Sequence, residues 1–287
     1  MIDLHTHSRA SDGSFSPKDL IVHALFEKVS VIALTDHDSI SGNETASLAA
    51  SEINEASEKP LIRFIPGIEL DIEWKPGECH LLGLGLRVNH PDLIRLLVRL
   101  NDDRRNRNGE IAEKMRAAGI DIDLERVEVI AGGGTVGRPH FAQYLVETKV
   151  VKNRQQAFDR YLAKDRPFFI DRNSISMDEG IAAIRACGGV PILAHPLSLY
   201  VSWGHLPEII TGFRDRGIAG LEAWHPGAKI AGCERLEALA HSLGMCVTAG
   251  SDFHGAARPD RKIGKTAGRR EIQDRYFYEE LAPLLGD

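Results

Sequence analysis

Val29-Ser30-Val31-Ile32-Ala33-Leu34 runs straight into Thr35-Asp36-His37-Asp38. The first six residues read as a buried strand, and the next four as a polar cluster at its C-terminal end. The same unit recurs in both directions. Upstream, Ile2-Asp3-Leu4-His5-Thr6-His7 sets histidines at i and i+2. On extended backbone both rings share one face, which is a chelating arrangement. Asp12 follows a short turn that can return its carboxylate to that side. Downstream, strand patterns end in Gly67-Ile68-Glu69-Leu70, in His195-Pro196, in Trp224-His225 and in Gly250-Ser251-Asp252-Phe253-His254, while residues 79–86 form a strand led by His80. Helical stripes separate them at 17–28, 43–57, 176–187, 206–216 and 231–243. A βα unit repeated about seven times, with its polar residues at one strand end, predicts an α/β barrel with the site at that rim. A doubly wound open sheet is the competing architecture.

After Asn89 the rhythm breaks. Residues 91–118 read as one long amphipathic helix, with Leu93, Leu96, Leu97, Leu100, Ile111 and Met115 as its apolar positions. Shorter helical patterns at 138–147 and 153–163 accompany a Gly132-Gly133-Gly134 loop. The expected organisation is a barrel from residues 1–90 and 167–287 carrying a mainly helical insertion, 91–166. A chain of 287 residues with 43% hydrophobic content can fill such a core. The net charge of −6 argues against indiscriminate coating of nucleic acid. Cys79, Cys187, Cys233 and Cys246 fall in no metal-binding spacing and read as reduced thiols. No secretory signal or membrane-spanning run is apparent, so a cytoplasmic protein without membrane association is expected.

The polar residues at the strand ends form one set: His5, His7, Asp12, His37, Glu69, His80, His195, Asp252 and His254. Each alone has an ordinary reading, as a turn histidine or a helix cap. Together they make an imidazole and carboxylate donor set suited to Zn, Mn or Fe rather than to Mg or Ca alone. Nine donors exceed what one ion with open positions needs. Two to three divalent ions are implied.

His5-Thr6-His7, Thr35-Asp36-His37, the isolated His80, Ala194-His195-Pro196 and Ser251-Asp252-Phe253-His254 resemble, in order, the motifs of the PHP family, named for DNA polymerase and histidinol phosphatase. The resemblance implies a distorted (β/α)7 TIM-like barrel with a trinuclear metal site. One ion would take His5, His7, Glu69 and Asp252; a second would share Glu69 and add His80 and His195; a third would use Asp12, His37 and His254. Many members carry histidine where this chain has Asp12. Asp36 fits an orienting role better than ligation. The insertion, with Gly137-Arg138-Pro139-His140-Phe141-Ala142, resembles a subfamily that removes the 3′-phosphate from nucleoside 3′,5′-bisphosphates, some of whose members also trim short RNA from the 5′ end. Manganese is then the expected ion, with Zn, Fe or Mg as alternatives.

Composition points the same way. Residues 95–166 hold 15 Lys+Arg against 11 Asp+Glu, within a chain that is acidic as a whole. Arg138 begins a helix beside a glycine-rich loop, and helix starts and arginine forks both favour phosphate. Arg138, His140, Arg107 and Arg104 are therefore the candidate substrate contacts. His225 and His195 are the candidates for protonating a leaving 3′-oxygen, His225 being free of expected metal duty. The sequence thus predicts a metal-dependent phosphomonoesterase acting on a small nucleotide. The rival within the class is a 5′-3′ exoribonuclease on short RNA. A non-catalytic PHP interaction module would show eroded ligands, and an amidohydrolase would favour a metal-bridging lysine absent from the strand ends. No obligate protein partner is evident.

Overall fold

A computed structural model describes residues 1–132, 135–171 and 174–286; Gly133 and Gly134 of the glycine-rich loop lie outside them. Seven strands follow one another around one sheet in sequence order. They are β1 (Ile2–Asp3), β2 (Val31–Leu34), β3 (Arg63–Ile72), β4 (Cys79–Leu84), β5 (Val190–Leu193), β6 (Gly220–Trp224) and β7 (Cys246–Ala249). The ends meet: Leu4 N–H donates to the Ala249 carbonyl at 3.2 Å, and Thr6 bridges Phe253 in parallel. The sheet is a distorted, nearly closed barrel.

The helices form where local chemistry favours them. In α1 (Pro17–Phe26), Ser16 accepts a bond from Asp19 N–H, proline occupies the first turn, and Leu20, Ile21 and Ala24 are buried. Helix α2 (Asn43–Glu55) buries Ala46, Ala49 and Ala50 against the same layer. Further helices follow in chain order as α3 (Pro91–Ala117), α4 (Leu124–Ala131), α5 (Arg138–Glu147), α6 (Arg154–Ala157), α7 (Met177–Ala186), α8 (Leu206–Arg216) and α9 (Ile230–Ser242). Helix α4 was not expected from periodicity. It is eight residues long, closed by an Asp123 cap and by Gly132 in the left-handed region (φ 63°).

One element departs from the repeated βα unit. Strand β4 is antiparallel to both β3 and β5, whereas the other neighbouring pairs are parallel. Only residues 73–78 join β3 to β4, too few for a crossover helix, so the chain turns back on itself. The expected strand-end rule is thereby corrected for His80. It lies at the start of β4, and reversal brings that start to the rim where the neighbouring strands finish.

Two compact units result, Met1–Leu96 with Ser174–Asp287, and Leu97–Asn173. The second has its own core, in which Ile111, Met115, Phe141, Leu145 and Leu162 are fully buried. Burying each such side chain contributes roughly 1.5–3 kcal/mol. Among the described residues no helix is long and apolar enough to cross a membrane.

Candidate metal centre

The chain beyond β1 remains extended and is zipped to the chain beyond β7. His7 N–H donates to the Phe253 carbonyl at 2.9 Å, and Asp252 N–H to the His5 carbonyl at 3.0 Å. Alternation then sends His5 and His7 to one face. Their Nε2 atoms stand 3.0 Å apart, each 3.2 Å from Glu69 Oε2. Asp252 Oδ1 lies 3.7 and 3.4 Å from the same two nitrogens.

Nitrogen and oxygen donors in mutual contact at these spacings suit a cation among them, because bonds of about 2.0–2.2 Å at wide angles leave ligand atoms about 3 Å apart. The hydrogen bonds agree. His5 Nδ1 binds Glu222 Oε1 at 2.9 Å, which leaves Nε2 to face Glu69. His254 Nδ1 donates to the Asp252 carbonyl at 2.8 Å, leaving buried Nε2 without a hydrogen-bond partner 3.2 Å from Asp12 Oδ1. His7 Nδ1 and His37 Nδ1 are buried and likewise make no hydrogen bond, His37 Nδ1 standing 3.2 Å from Glu69 Oε2. An imidazole lone pair facing a carboxylate is repulsive until a cation sits between them. The residues fit divalent ions.

Four groups of donor atoms each fall within 4.8 Å of one another: His5, His7 and Glu69; Glu69, His80 and His195; His7, Asp12, His37 and His254; and His37, Asp71 and His80. Eight of the nine expected residues fall in these groups, and the ninth, Asp252, joins them through its contacts with His5, His7 and His254. Asp71 was not anticipated. It stands two residues beyond Glu69 on β3, hence on the same face, and is in register with His80, whose Nε2 it approaches at 2.9 Å.

A supporting layer fixes these rings. Glu222, buried on β6, takes His195 N–H on its second oxygen at 2.9 Å. Asp36 accepts bonds from Ser8 N–H, Ser8 Oγ and Ser11 Oγ at 2.6–2.8 Å, so it orients the loop between His7 and Asp12 rather than the His37 ring. Gly250 permits the close approach: a Cβ there would stand 2.2 Å from His5 Cβ and 2.6 Å from Glu222 Oε1. His195 (φ 27°) and Asp252 (φ 52°) occupy a disfavoured backbone region. Such residues cost about 1–3 kcal/mol each and cluster at functional sites.

The ionisation of the ion-free cluster follows from burial opposed by charge. Burial lowers His5, His7 and His80, but Glu222 and Glu69 hold His5 well above its ordinary value, Asp252 and Glu69 bring His7 up to about 9, and Glu69 brings His80 up to about 9. Burial prevails at His37, which lies well below the usual range. The carboxyl groups of Glu69, Asp252 and Asp12 resist burial through neighbouring histidines and lie well below theirs. They are ionised, as ligation requires.

Beside the cluster opens a cavity of about 280 Å³, lined by His80, His195, His225, Asp252, Arg258 and Arg261 among others. Gly227 N–H donates to His225 Nδ1 at 3.0 Å, which places the ring proton on Nε2, 3.3 Å from Asp252 Oδ2. Both nitrogens of His195 are engaged, with Ser198 Oγ at 2.9 Å and Glu69 Oε1 at 3.1 Å. In sequence the basic tail containing Arg258 and Arg261 resembles a solvated face. The structure corrects this: both line the cavity, and Arg258 donates to Asp252 Oδ2 at 2.8 Å. A charge run carries no record of which members fold inward.

The expected substrate contacts belong to the other unit. There, Arg107 is buried and donates to Asn108 Oδ1 at 3.0 Å. His140 Nδ1 accepts Gly137 N–H at 3.0 Å and so caps α5, and the Arg138 guanidinium lies 5.0 Å over the Phe169 ring. Arg104 lies on α3.

A family model described as PHP domain matches residues 3–165. A 5′-3′ exoribonuclease of Haemophilus influenzae is 34% identical, with 88% of this chain and 89% of the relative covered. A 3′,5′-nucleoside bisphosphate phosphatase of Chromobacterium violaceum is 28% identical, with 92% and 91% covered. A solved Bifidobacterium adolescentis structure, described as a candidate metal-dependent phosphoesterase, is similar at TM-score 0.84 and 26% identity, covering 98% of this chain and 95% of its own.

Proposed function

The chain belongs to the PHP domain family of metal-dependent phosphoester hydrolases, and on that premise we propose that it removes the 3′-phosphate from nucleoside 3′,5′-bisphosphates, such as adenosine 3′,5′-bisphosphate. The observation that carries this reading is the joining of the donor cluster to a cavity that also holds Arg258, Arg261 and His225, a histidine outside the expected ligand set.

Two to three divalent ions, manganese being the expected one, would be held by His5, His7, Glu69 and Asp252, by Glu69, His80 and His195, and by Asp12, His37 and His254. When bound they would acidify water and withdraw charge from phosphoryl oxygens. The remaining work falls to the chain. Arg258 and Arg261 place guanidinium groups where non-bridging oxygens would lie. His225, outside the expected ligand set, holds an Nε2–H that now faces Asp252 Oδ2 at 3.3 Å and would be turned to the leaving 3′-oxygen; His195, whose Nε2 stands 3.1 Å from Glu69 and belongs to the expected ligand set, is the weaker proton source. Arg138, with Arg104, Arg107 and His140, is the candidate receptor for the 5′-phosphate. Each charge-assisted bond to that group would contribute roughly 1.5–3 kcal/mol, and two would raise kcat/KM on the order of 100-fold over a monophosphate.

The exoribonuclease reading rests on the 34% identical relative. Its chemistry differs little. Both reactions break the bond between phosphorus and the 3′-oxygen of a nucleotide bearing a 5′-phosphate, and differ in whether that phosphorus carries a further nucleotide. Phosphorus NMR of the products from adenosine 3′,5′-bisphosphate tests the proposal: 5′-AMP is expected, and 3′-AMP or no turnover would overturn it.

A further inference from the structure

Glu69 and Asp71 stand two residues apart on β3, so both carboxylates face the rim, and the antiparallel register sets His80 of β4 directly opposite Asp71. The His80 ring is thereby held between two carboxylates. Its Nδ1 lies 2.8 Å from Glu69 Oε1, and its Nε2 lies 2.9 Å from Asp71 Oδ1. A neutral imidazole carries one proton. One of these contacts is therefore a hydrogen bond, and the other sets a lone pair against a carboxylate.

The neighbours decide which is which. Glu69 is approached by His5, His7, His37, His80 and His195, each at 2.8–3.2 Å. Two of those rings have their other nitrogen engaged, His5 Nδ1 with Glu222 and His195 Nδ1 with Ser198 Oγ. A carboxylate ringed by imidazole nitrogens in this way is a place for cations, which need the lone pairs, rather than for a proton on every ring. Asp71 is buried and its strand is pinned beside it. Asp71 N–H donates to Asp38 Oδ1 at 3.3 Å, Ile72 bridges Ile175 in parallel, and Glu73 N–H donates to the Ile175 carbonyl at 2.8 Å.

From this juxtaposition we infer that Asp71 is a positioning residue of the centre: it accepts the Nε2–H of His80 and so commits that ring to hold an ion through Nδ1. The arrangement mirrors the one at His5, where Glu222 takes the Nδ1 proton and leaves Nε2 for the ion. Each oxygen of Glu69 then faces an imidazole whose tautomer a further carboxylate fixes, His5 at Oε2 by Glu222 and His80 at Oε1 by Asp71. Such partners also make the ligand nitrogen more basic. The inference rests on the donor cluster being a metal centre and is independent of which phosphate ester is cleaved.

Zinc-loaded protein carrying nitrogen-15 histidine reports the tautomer directly, because long-range proton–nitrogen correlations separate a metal-bound Nδ1 from a metal-bound Nε2. The His80 signal should be of the Nδ1-bound kind, and an Nε2-bound ring would overturn the assignment. In competition with a chromophoric chelator, Asp71→Ala should weaken zinc affinity about 10–100-fold while the full complement of ions is still reached at saturation. Asp71→Asn, whose side-chain oxygen can still accept the Nε2–H, should recover most of that loss. Unchanged affinity in Asp71→Ala would make the carboxylate idle, and an ion missing at saturation would make it a ligand beside His37 and His80 instead; either result overturns the positioning role. Should Asp71→Ala fail to fold, the wild-type tautomer still judges the proposal. Wild-type protein that takes up no zinc would refute the metal centre and the inference with it, a result distinct from zinc bound through Nε2.

Discussion

Glu222 on β6 binds His5 Nδ1 at 2.9 Å, so a residue 217 positions away fixes which nitrogen of His5 faces the ion site. Carboxylates behind a ligand histidine typically govern metal affinity by 10–100-fold. Glu222→Gln should therefore weaken metal binding by about that factor while the fold survives, because the amide still fills the space. Competition with a chromophoric chelator measures it, and wild-type affinity would remove Glu222 from this role.

The donor set predicts two to three ions per chain, measurable by elemental analysis of protein purified without chelator. Glu69→Gln and Asp252→Asn replace anionic donors that approach five and four histidines respectively. Each should lower kcat by roughly 10²–10³-fold or more, the scale on which one charge-stabilising group acts. Circular dichroism should remain native, and near-normal turnover would exclude the residue from the centre.

Proton occupancy sets a pH dependence. In the ion-free protein His7 and His80 titrate near 9 instead of 6.5, so their protonated forms are favoured by folding. That contribution is complete below about 6.5 and is lost as pH rises through 9. Ions need neutral rings, so their affinity rises across the same window. Between pH 6.5 and 9.5 the Tm of chelator-treated protein should fall, and the gain in Tm on adding metal should grow. A gain independent of pH would contradict the assignment.

Gly250→Ala places a methyl group 2.2 Å from His5 Cβ. Overpacking of this kind costs about 1–3 kcal/mol and here must displace His5 or Glu222. Thermal unfolding together with metal content should show both a lowered Tm and lost ions. Lowered stability with full metal content would mean that the strands part elsewhere.

Arg138→Ala should raise KM for the bisphosphate far more than it alters activity on a generic aryl phosphate, because the proposed role is to hold the second phosphate. Comparable loss on both substrates would place Arg138 at the reacting group instead.

The sequence by itself determined the strand-and-rim plan, since burial and side-chain alternation are local properties written in runs such as 29–38. For the same reason it marked His5, His7, His37, Glu69, His195, Asp252 and His254 as candidates: each directly follows or closes an apolar run. It could not supply α4, whose eight residues are held by a cap and a C-terminal glycine more than by a stripe. Only the tertiary structure decided the direction of β4, and with it why His80 reaches the rim from a strand start. It alone decided that Asp71 and Glu222 stand beside the histidines, and that Arg258 and Arg261 line the cavity next to them. Those relationships join residues up to 217 positions apart through barrel closure and strand register, and nothing in the local pattern of a strand records which other strand will lie beside it.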